Sequence, residues 1–234
     1  PDLDAFIDHG DAVLNMVLHR GESHALFYLT LFSPLLAWLV SRLHGEGALF
    51  RRWWLALWLA LVTHPLLDTL TVYGTQLLLP FTNHPFGVGS VFIIDPLYTV
   101  PLLIGLAIAL TASPRTGHRA NAVALLLSSA YLLWGMLAQQ HVAQIATASL
   151  RAQGLPGERV LVTPAPFNTV LWRIVAMGPQ DYAEGHYSLL DGTRDIVWRR
   201  FPNGAALAQG HAGGEGLPRM FTSTPQSVEP ATTS

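Results

Sequence analysis

The stretch Trp53–Leu70, WWLALWLALVTHPLLDTL, decides the fold class of this chain. It is apolar over most of its length, and a helix that spans a membrane needs about 20 such residues. Near its far end it carries His64 and Asp68, which are four residues apart and therefore share one face of a helix. Ionisable side chains at membrane depth are costly, so this pair predicts a functional site.

The composition of the 234-residue chain is that of a membrane protein. Half of the residues are hydrophobic and 12% are charged, whereas soluble domains carry about 25% charged residues. The net charge of −2 provides no basic stripe for phosphate backbones, which excludes nucleic acid as a partner. The chain has no cysteine, so disulfides and thiolate chemistry are excluded as well. The oligomeric state does not follow from the sequence.

Four apolar runs predict about four transmembrane helices. The runs are 24–43, 53–70, 97–112 and 120–141. The loops 41–52 and 113–119 are rich in arginine, which predicts that both are cytoplasmic. This orientation places residues 1–23, the 71–96 segment and the C-terminal part on the face of the membrane opposite the cytoplasm.

Residues that favour β-structure follow the fourth run, which an alanine-rich helical stretch extends to Arg151. They cluster in segments 159–164, 170–176, 182–190 and 195–201. We therefore predict an all-α polytopic membrane protein with a small extracytoplasmic β domain at its C-terminal end. The membrane-embedded domain would comprise 1–151, and the β domain 152–203. Gly, Ala, Pro, Ser and Thr dominate 204–234, which is typical of a disordered tail.

Two acidic motifs are predicted to reach the same outer boundary as the opening pair. In Pro1-Asp2-Leu3-Asp4, the two carboxylates face the same way in an extended segment, where they either share a cation or form an acidic turn. Asp95 begins the third run, a position that favours capping of a helix over metal ligation. The opening pair itself has a structural alternative, a hydrogen bond between packed helices.

The segment His19–His24, HRGESH, adds two histidines and Arg20 at this boundary. A spacing of five residues does not place both histidines on one helix face. They converge only if Gly21 turns the chain and Ser23 caps the helix that follows. The alternative is an interfacial His-Arg pair that contacts lipid headgroups.

The candidate residues together indicate a metal site. The predicted ligands are Asp4, His24, His64 and Asp68. Asp2 and His19 are further candidates, which either bind the metal or support its ligands. Histidine and aspartate without cysteine suit Zn²⁺, Mn²⁺ or Fe²⁺, and such a cation lowers the pKa of a bound water to about 7. Asp4 or Asp68 would serve as a general base instead of a ligand, and Arg20 would bind an anionic group such as a phosphate.

These motifs as a set resemble the inner-membrane metal-dependent hydrolases of the YdjM-like family. That family combines a Pro-Asp-x-Asp element, a His-Arg-Gly-x-Ser/Thr-His element and a His-x-x-x-Asp-x-x-Thr-x-x-Gly element, followed by a leucine-rich segment that ends in Pro-Phe. In this chain the elements are Pro1–Asp4, His19–His24 and His64–Phe81. The resemblance covers about residues 1–110, leaves the β domain outside, and implies a further helix before Pro1. Glu22 is a departure that adds an acidic residue near the site.

The leading hypothesis is a membrane-embedded metal-dependent hydrolase at the outer face of the inner membrane. A site at that depth meets acyl chains and headgroups together, so a lipid or a lipid-linked phosphoester is the expected substrate and membrane lipid the expected partner. The alternative is a non-enzymatic protein, either a transporter or a scaffold that binds a partner through the β domain. A transporter is expected to contain inverted repeats, and the sequence contains none.

Overall fold

The computed structural model describes residues 2, 8, 10, 15, 20–155, 157–179, 181–192 and 195–202. Within these residues, four α-helices precede a four-stranded sheet. The helices are α1 (Leu26–Leu43), α2 (Phe50–Asp68), α3 (Pro96–Thr111) and α4 (Pro114–Ala152). The strands are β1 (Arg159–Pro164), β2 (Leu171–Met177), β3 (Asp181–Ser188) and β4 (Arg199–Pro202). The predicted mostly helical fold with a small C-terminal antiparallel sheet is therefore confirmed.

The length and hydropathy of the helices bear on the predicted number of membrane spans. Among the described residues, α1 and α4 are long and apolar enough to cross a membrane. α3 is apolar but has 16 residues. α2 has 19 residues, and its polar ends, Arg51 and Arg52 at one and His64 and Asp68 at the other, lower its mean hydropathy. The four-span arrangement is thus not confirmed and stays a prediction.

α1 and α2 form an antiparallel hairpin that side-chain hydrogen bonds hold in register. The indole N–H of Trp58 donates to Thr30 Oγ1 at 3.1 Å, and that of Trp54 donates to Ser33 Oγ at 2.9 Å. A forward step along α1 thus corresponds to a backward step along α2. The side chains that α1 buries are mostly small, which lets the helices approach closely. They are Leu29, Ser33, Ala37 and Ser41.

α3 and α4 form a second hairpin that depends on a glycine. A Cβ on Gly105 would lie 2.5 Å from the Cβ of Ala124, so a larger residue there would push the helices apart. Asp95 caps α3, because its Oδ1 accepts the N–H of Leu97 at 3.0 Å. This confirms the favoured structural role of Asp95.

The segment between α2 and α3 folds back over the end of α2. The carbonyl of Thr69 accepts the N–H of Val88 at 2.7 Å, and the carbonyl of Thr71 accepts the N–H of Gly89 at 3.1 Å. Gly74 lies at φ +81°, a backbone conformation that favours glycine. The residues immediately after Asp68 are therefore fixed by backbone hydrogen bonds.

The sheet packs against the C-terminal half of α4. Its strands form an antiparallel meander in the order β1-β2-β3-β4, and buried Trp172 lies in one cluster with Val142 of α4. With 39 residues, α4 is about 58 Å long, roughly twice the thickness of a hydrocarbon core. The side-chain amide of Gln139 links the elements, since it donates to Val88 O at 2.6 Å and to Val162 O at 2.8 Å.

The predicted membrane-embedded and β domains lie in one compact unit, which ends at Pro202. The two predicted domains, 1–151 and 152–203, thus stay a prediction. The tail 204–234, which we predicted to be disordered, lies outside the described residues.

Candidate metal centre

His24 and His64 meet at the open end of the α1/α2 hairpin. Their ring centroids are 5.4 Å apart. His24 is fully buried in the 3₁₀ turn Glu22–His24 just before α1, and His64 lies near the end of α2. The hairpin register explains the meeting, because His24 precedes Thr30 by the same number of residues as His64 follows its partner Trp58.

Two carboxylates complete the cluster. Asp2 places Oδ1 3.3 Å from His24 Nε2 and Oδ2 3.2 Å from His64 Nε2. Asp68 places Oδ2 3.4 Å from His24 Nε2 and 3.5 Å from His64 Nε2. Asp2 and the two histidines each offer a donor atom within 4.8 Å of the other two, and they form a possible metal-binding group. Asp68 adds an oxygen that is close to both imidazoles.

The nitrogen-to-oxygen spacing in the cluster is similar to that of neighbouring donors around a small cation. Zinc bonds to histidine nitrogen and carboxylate oxygen are about 2.0–2.1 Å long, so neighbouring donors in a tetrahedral site lie about 3.3–3.4 Å apart. The histidine-to-carboxylate distances in the cluster lie between 3.2 and 3.5 Å, and the two from Asp2 involve different oxygens. Within the described residues, His64 Nε2 and Asp68 Oδ2 are buried and have no hydrogen-bond partner. Such buried atoms are destabilising by about 1–3 kcal/mol each, and a cation between them would remove that cost.

Neighbouring side chains orient two members of the cluster. Ser23 Oγ lies 2.8 Å from His24 Nδ1, which holds the ring with Nε2 toward the carboxylates. Buried Arg20 places Nη2 3.6 Å from Asp68 Oδ1, and its Nη1 donates to Thr71 Oγ1 at 2.8 Å. Asp68 therefore turns one oxygen toward Arg20 and the other toward the histidines.

The electrostatics of Asp2 favour its ionised form. Burial raises the pKa of the Asp2 carboxyl, but the charges of His64 and His24 lower it by more, so this pKa lies below its ordinary value. The side chain of Asp2 is 59% exposed, that of His64 36% and that of His24 0%. The exposed side of the cluster is thus that of Asp2 and His64.

The predicted site residues have different outcomes. Those that the structure brings together are Asp2, His24, His64, Asp68 and Arg20. Asp4 and His19 lie outside the described residues. Metal binding by the cluster and the catalytic roles of Asp4, Asp68 and Arg20 stay predictions.

Two residues that support the cluster did not follow from the sequence. The capping role predicted for Ser23 is wrong, and Thr71 was not identified. Ser23 does not cap α1, whose N-cap residue is Ala25 without a side-chain hydrogen bond, because its hydroxyl is engaged by His24. Thr71 was not identified, although its position three residues after Asp68 lets its hydroxyl reach the end of α2, where it donates to Asp68 O at 2.7 Å. In the sequence, such supporting residues are indicated by a serine or threonine close to a candidate histidine or aspartate ligand.

Comparison with known proteins gives one match. A family model described as YdjM inner membrane protein matches residues 1–142. The match covers more than half of the chain and extends beyond the 1–110 of the resemblance. It includes the whole cluster and ends before the sheet. Comparisons with curated proteins and with solved structures returned no significant match.

Proposed function

The chain belongs to the YdjM inner membrane protein family, and from this premise we propose that it is a membrane-embedded, metal-dependent hydrolase of lipid or lipid-linked phosphoesters. The family and the apolar helices support a location in an inner membrane. The observation that carries the proposal is that the Nε2 atoms of His24 and His64 both lie 3.2–3.5 Å from carboxylate oxygens of Asp2 and Asp68.

In this proposal Asp2, His24, His64 and Asp68 hold one divalent cation. Nitrogen and oxygen donors without cysteine suit Zn²⁺, Mn²⁺ or Fe²⁺. When bound, the cation supplies Lewis acidity and lowers the pKa of a water to about 7.

The other residues prepare the site for an anionic substrate. Arg20 fixes Asp68 Oδ1 at 3.6 Å, so that Oδ2 stays directed at the histidines, and its guanidinium also lies over the ring of Tyr73 at 5.3 Å. Its positive charge beside the cluster favours a phosphate group. Substrate and water would enter from the side of Asp2, the most exposed member of the cluster. Asp4 stays the proposed general base where Asp68 acts as a ligand.

We further propose that the site faces the outer side of the inner membrane. Arg42 near the end of α1 and Arg51 and Arg52 at the start of α2 flank the turn at the end of the hairpin opposite the histidines, and arginine-rich connections stay in the cytoplasm. All four helices would then cross the membrane, and the sheet would be extracytoplasmic.

Elemental analysis of the purified full chain tests the hydrolase proposal. We expect a stoichiometric divalent cation and metal-dependent release of phosphate from dioleoyl phosphatidic acid in mixed micelles. His64→Ala should lose both. The matched control is His44→Ala, because His44 is exposed at the opposite end of the hairpin, where it stacks on Trp53 at 5.2 Å.

Two results would contradict the proposal. One is a His64→Ala protein that keeps its full metal content. The other is a His44→Ala protein that loses as much metal as His64→Ala. A transporter or a scaffold would keep its function after loss of the cluster, so the same pair of variants also separates these alternatives.

A further inference from the structure

An apolar groove runs along α1 next to the metal cluster. It encloses about 540 Å³ between α1 and the segment that follows Gln76, a volume within the range of about 300–1,000 Å³ that is common for ligand pockets. Its lining is almost entirely aliphatic and aromatic, including Leu26, Phe27, Leu31, Pro34, Leu77 and Phe81. The rings of Phe27 and Phe81 meet edge to face with centroids 5.5 Å apart and close one side.

The apolar groove adjoins the metal cluster, because its first lining residue lies close to His24 in the chain. Leu26 follows His24 by two residues, and its N–H donates to Leu77 O at 3.0 Å. The N–H of Gln76 donates to Arg20 O at 2.9 Å. These two backbone hydrogen bonds fix the groove wall to the chain segment that carries Arg20 and His24.

The groove also lies at a depth where hydrocarbon is available. α1 is a candidate membrane span, and the lining from Leu26 to Pro34 covers about 12 Å of it, a substantial part of a hydrocarbon core about 30 Å thick. Leu31 is 67% exposed and Phe81 is 77% exposed. These side chains need an apolar cover, which acyl chains provide in a membrane.

We propose that this groove binds the acyl chain of the lipid substrate while the anionic headgroup lies at the cluster. The inference deepens the proposed function and rests on it. The two adjoining surfaces match the two ends of one amphipathic molecule, since the groove is apolar and the cluster carries Arg20 and the proposed cation. A second copy of the chain would also cover the apolar groove, but that contact would not explain why the Arg20 guanidinium lies beside it.

Photo-crosslinking of the full chain in nanodiscs tests the groove. The probe is a phosphatidic acid with a diazirine in its acyl chain, diluted in phosphatidylcholine, and crosslinks should map to 26–34 and 77–81. Leu31→Trp fills the groove, and the loss of about two buried methylene contacts should lower crosslinking about tenfold. The matched control is Leu39→Trp, which places the same side chain on α1 outside the groove lining.

The outcomes separate this inference from the proposed function. Equal crosslinking in Leu31→Trp and Leu39→Trp, or crosslinks that join two protein chains through the groove, would overturn the acyl-chain assignment. Groove crosslinks in a purified protein that contains no metal would contradict the proposed hydrolase, but they would still support binding of an acyl chain in the groove. If Leu31→Trp does not fold, Phe27→Ala replaces it, because it removes one wall and should weaken crosslinking in the same way.

Discussion

Asp68 ends α2 and Asp95 begins α3 as its N-cap, yet the surroundings of these two aspartates differ. Asp95 is 2% exposed, and both of its oxygens accept hydrogen bonds, one from the N–H of Leu97 and one from the hydroxyl of Tyr131 at 2.7 Å. Asp68 Oδ2 is buried beside imidazole nitrogens and has no hydrogen-bond partner among the described residues. Both oxygens of Asp95 thus have hydrogen-bond donors within the fold, whereas Oδ2 of Asp68 has none among the described residues.

The difference shows what separates a structural carboxylate from a proposed metal ligand. Both residues are aspartates at helix ends near one boundary, so residue type and position do not distinguish them. Their partners do, because two donors complete Asp95, whereas Asp68 has Arg20 beside Oδ1 and two imidazole nitrogens beside Oδ2, where we propose the cation. The predictions below test this contrast, starting with the largest expected effect.

Asp68→Asn should abolish stoichiometric metal binding, and Asp95→Asn should leave it intact. Residues that merely support a ligand are worth about 10–100-fold in metal affinity, so loss of a ligand should cost at least about 100-fold. Isothermal titration with Zn²⁺ in detergent measures both variants. A similar loss of affinity in the two would break the distinction between the carboxylates.

Removal of the metal should destabilise the native protein but not the Asp68→Asn variant. A ligand at 100 times its dissociation constant stabilises the folded state by about 2.7 kcal/mol. Thermal unfolding with and without a chelator, followed by tryptophan fluorescence, gives the comparison. The idea fails if the native protein unfolds at the same temperature in both conditions.

Ser23→Ala should weaken metal binding by about tenfold, the lower end of the range for residues that orient a ligand. Its hydroxyl contacts His24 Nδ1, and without it the ring gains freedom. Competition with a chromophoric chelator measures the affinity. Ser113→Ala is the control, since that hydroxyl pairs with Thr116 at the start of α4. An unchanged affinity in Ser23→Ala would show that the ring is held by other contacts.

Asp95→Ala should give the smallest effect, and it should be on stability alone. Loss of a helix N-cap costs about 0.5–2 kcal/mol, and the hydroxyl of Tyr131 loses its acceptor as well. Thermal unfolding in detergent detects the change, while elemental analysis should give the native metal content. A variant that lost its metal would place Asp95 among the residues that support the cluster.

Much of the helical part follows from the sequence because of simple periodicity. The apolar runs predict the helices, and the spacing of His64 and Asp68 predicts their shared face. The arginines and the short turn between α1 and α2 predict that His24 lies at the same end. The pairing of His24 with His64 does not follow, because it depends on where Trp54 and Trp58 find hydroxyls on α1.

Other features depend on contacts that leave little trace in the sequence. The carboxylate of Asp2 approaches both histidines from a segment without a periodic pattern. Ser23 has a residue type suited to capping, and only the three-dimensional position of His24 assigns its hydroxyl elsewhere. Alternation predicts the strands, but the packing of Trp172 on α4 depends on tertiary contacts that strand alternation does not encode.

The hairpin register makes the geometry of the site depend on the length of the chain segments that lead to it. Each histidine is positioned by the number of residues that separate it from the Trp58–Thr30 hydrogen bond. One residue inserted between Trp58 and His64 would rotate the imidazole by about 100° and advance it by about 1.5 Å. A substitution within this stretch therefore keeps the position of the imidazole, whereas an insertion or a deletion moves it away from the cluster.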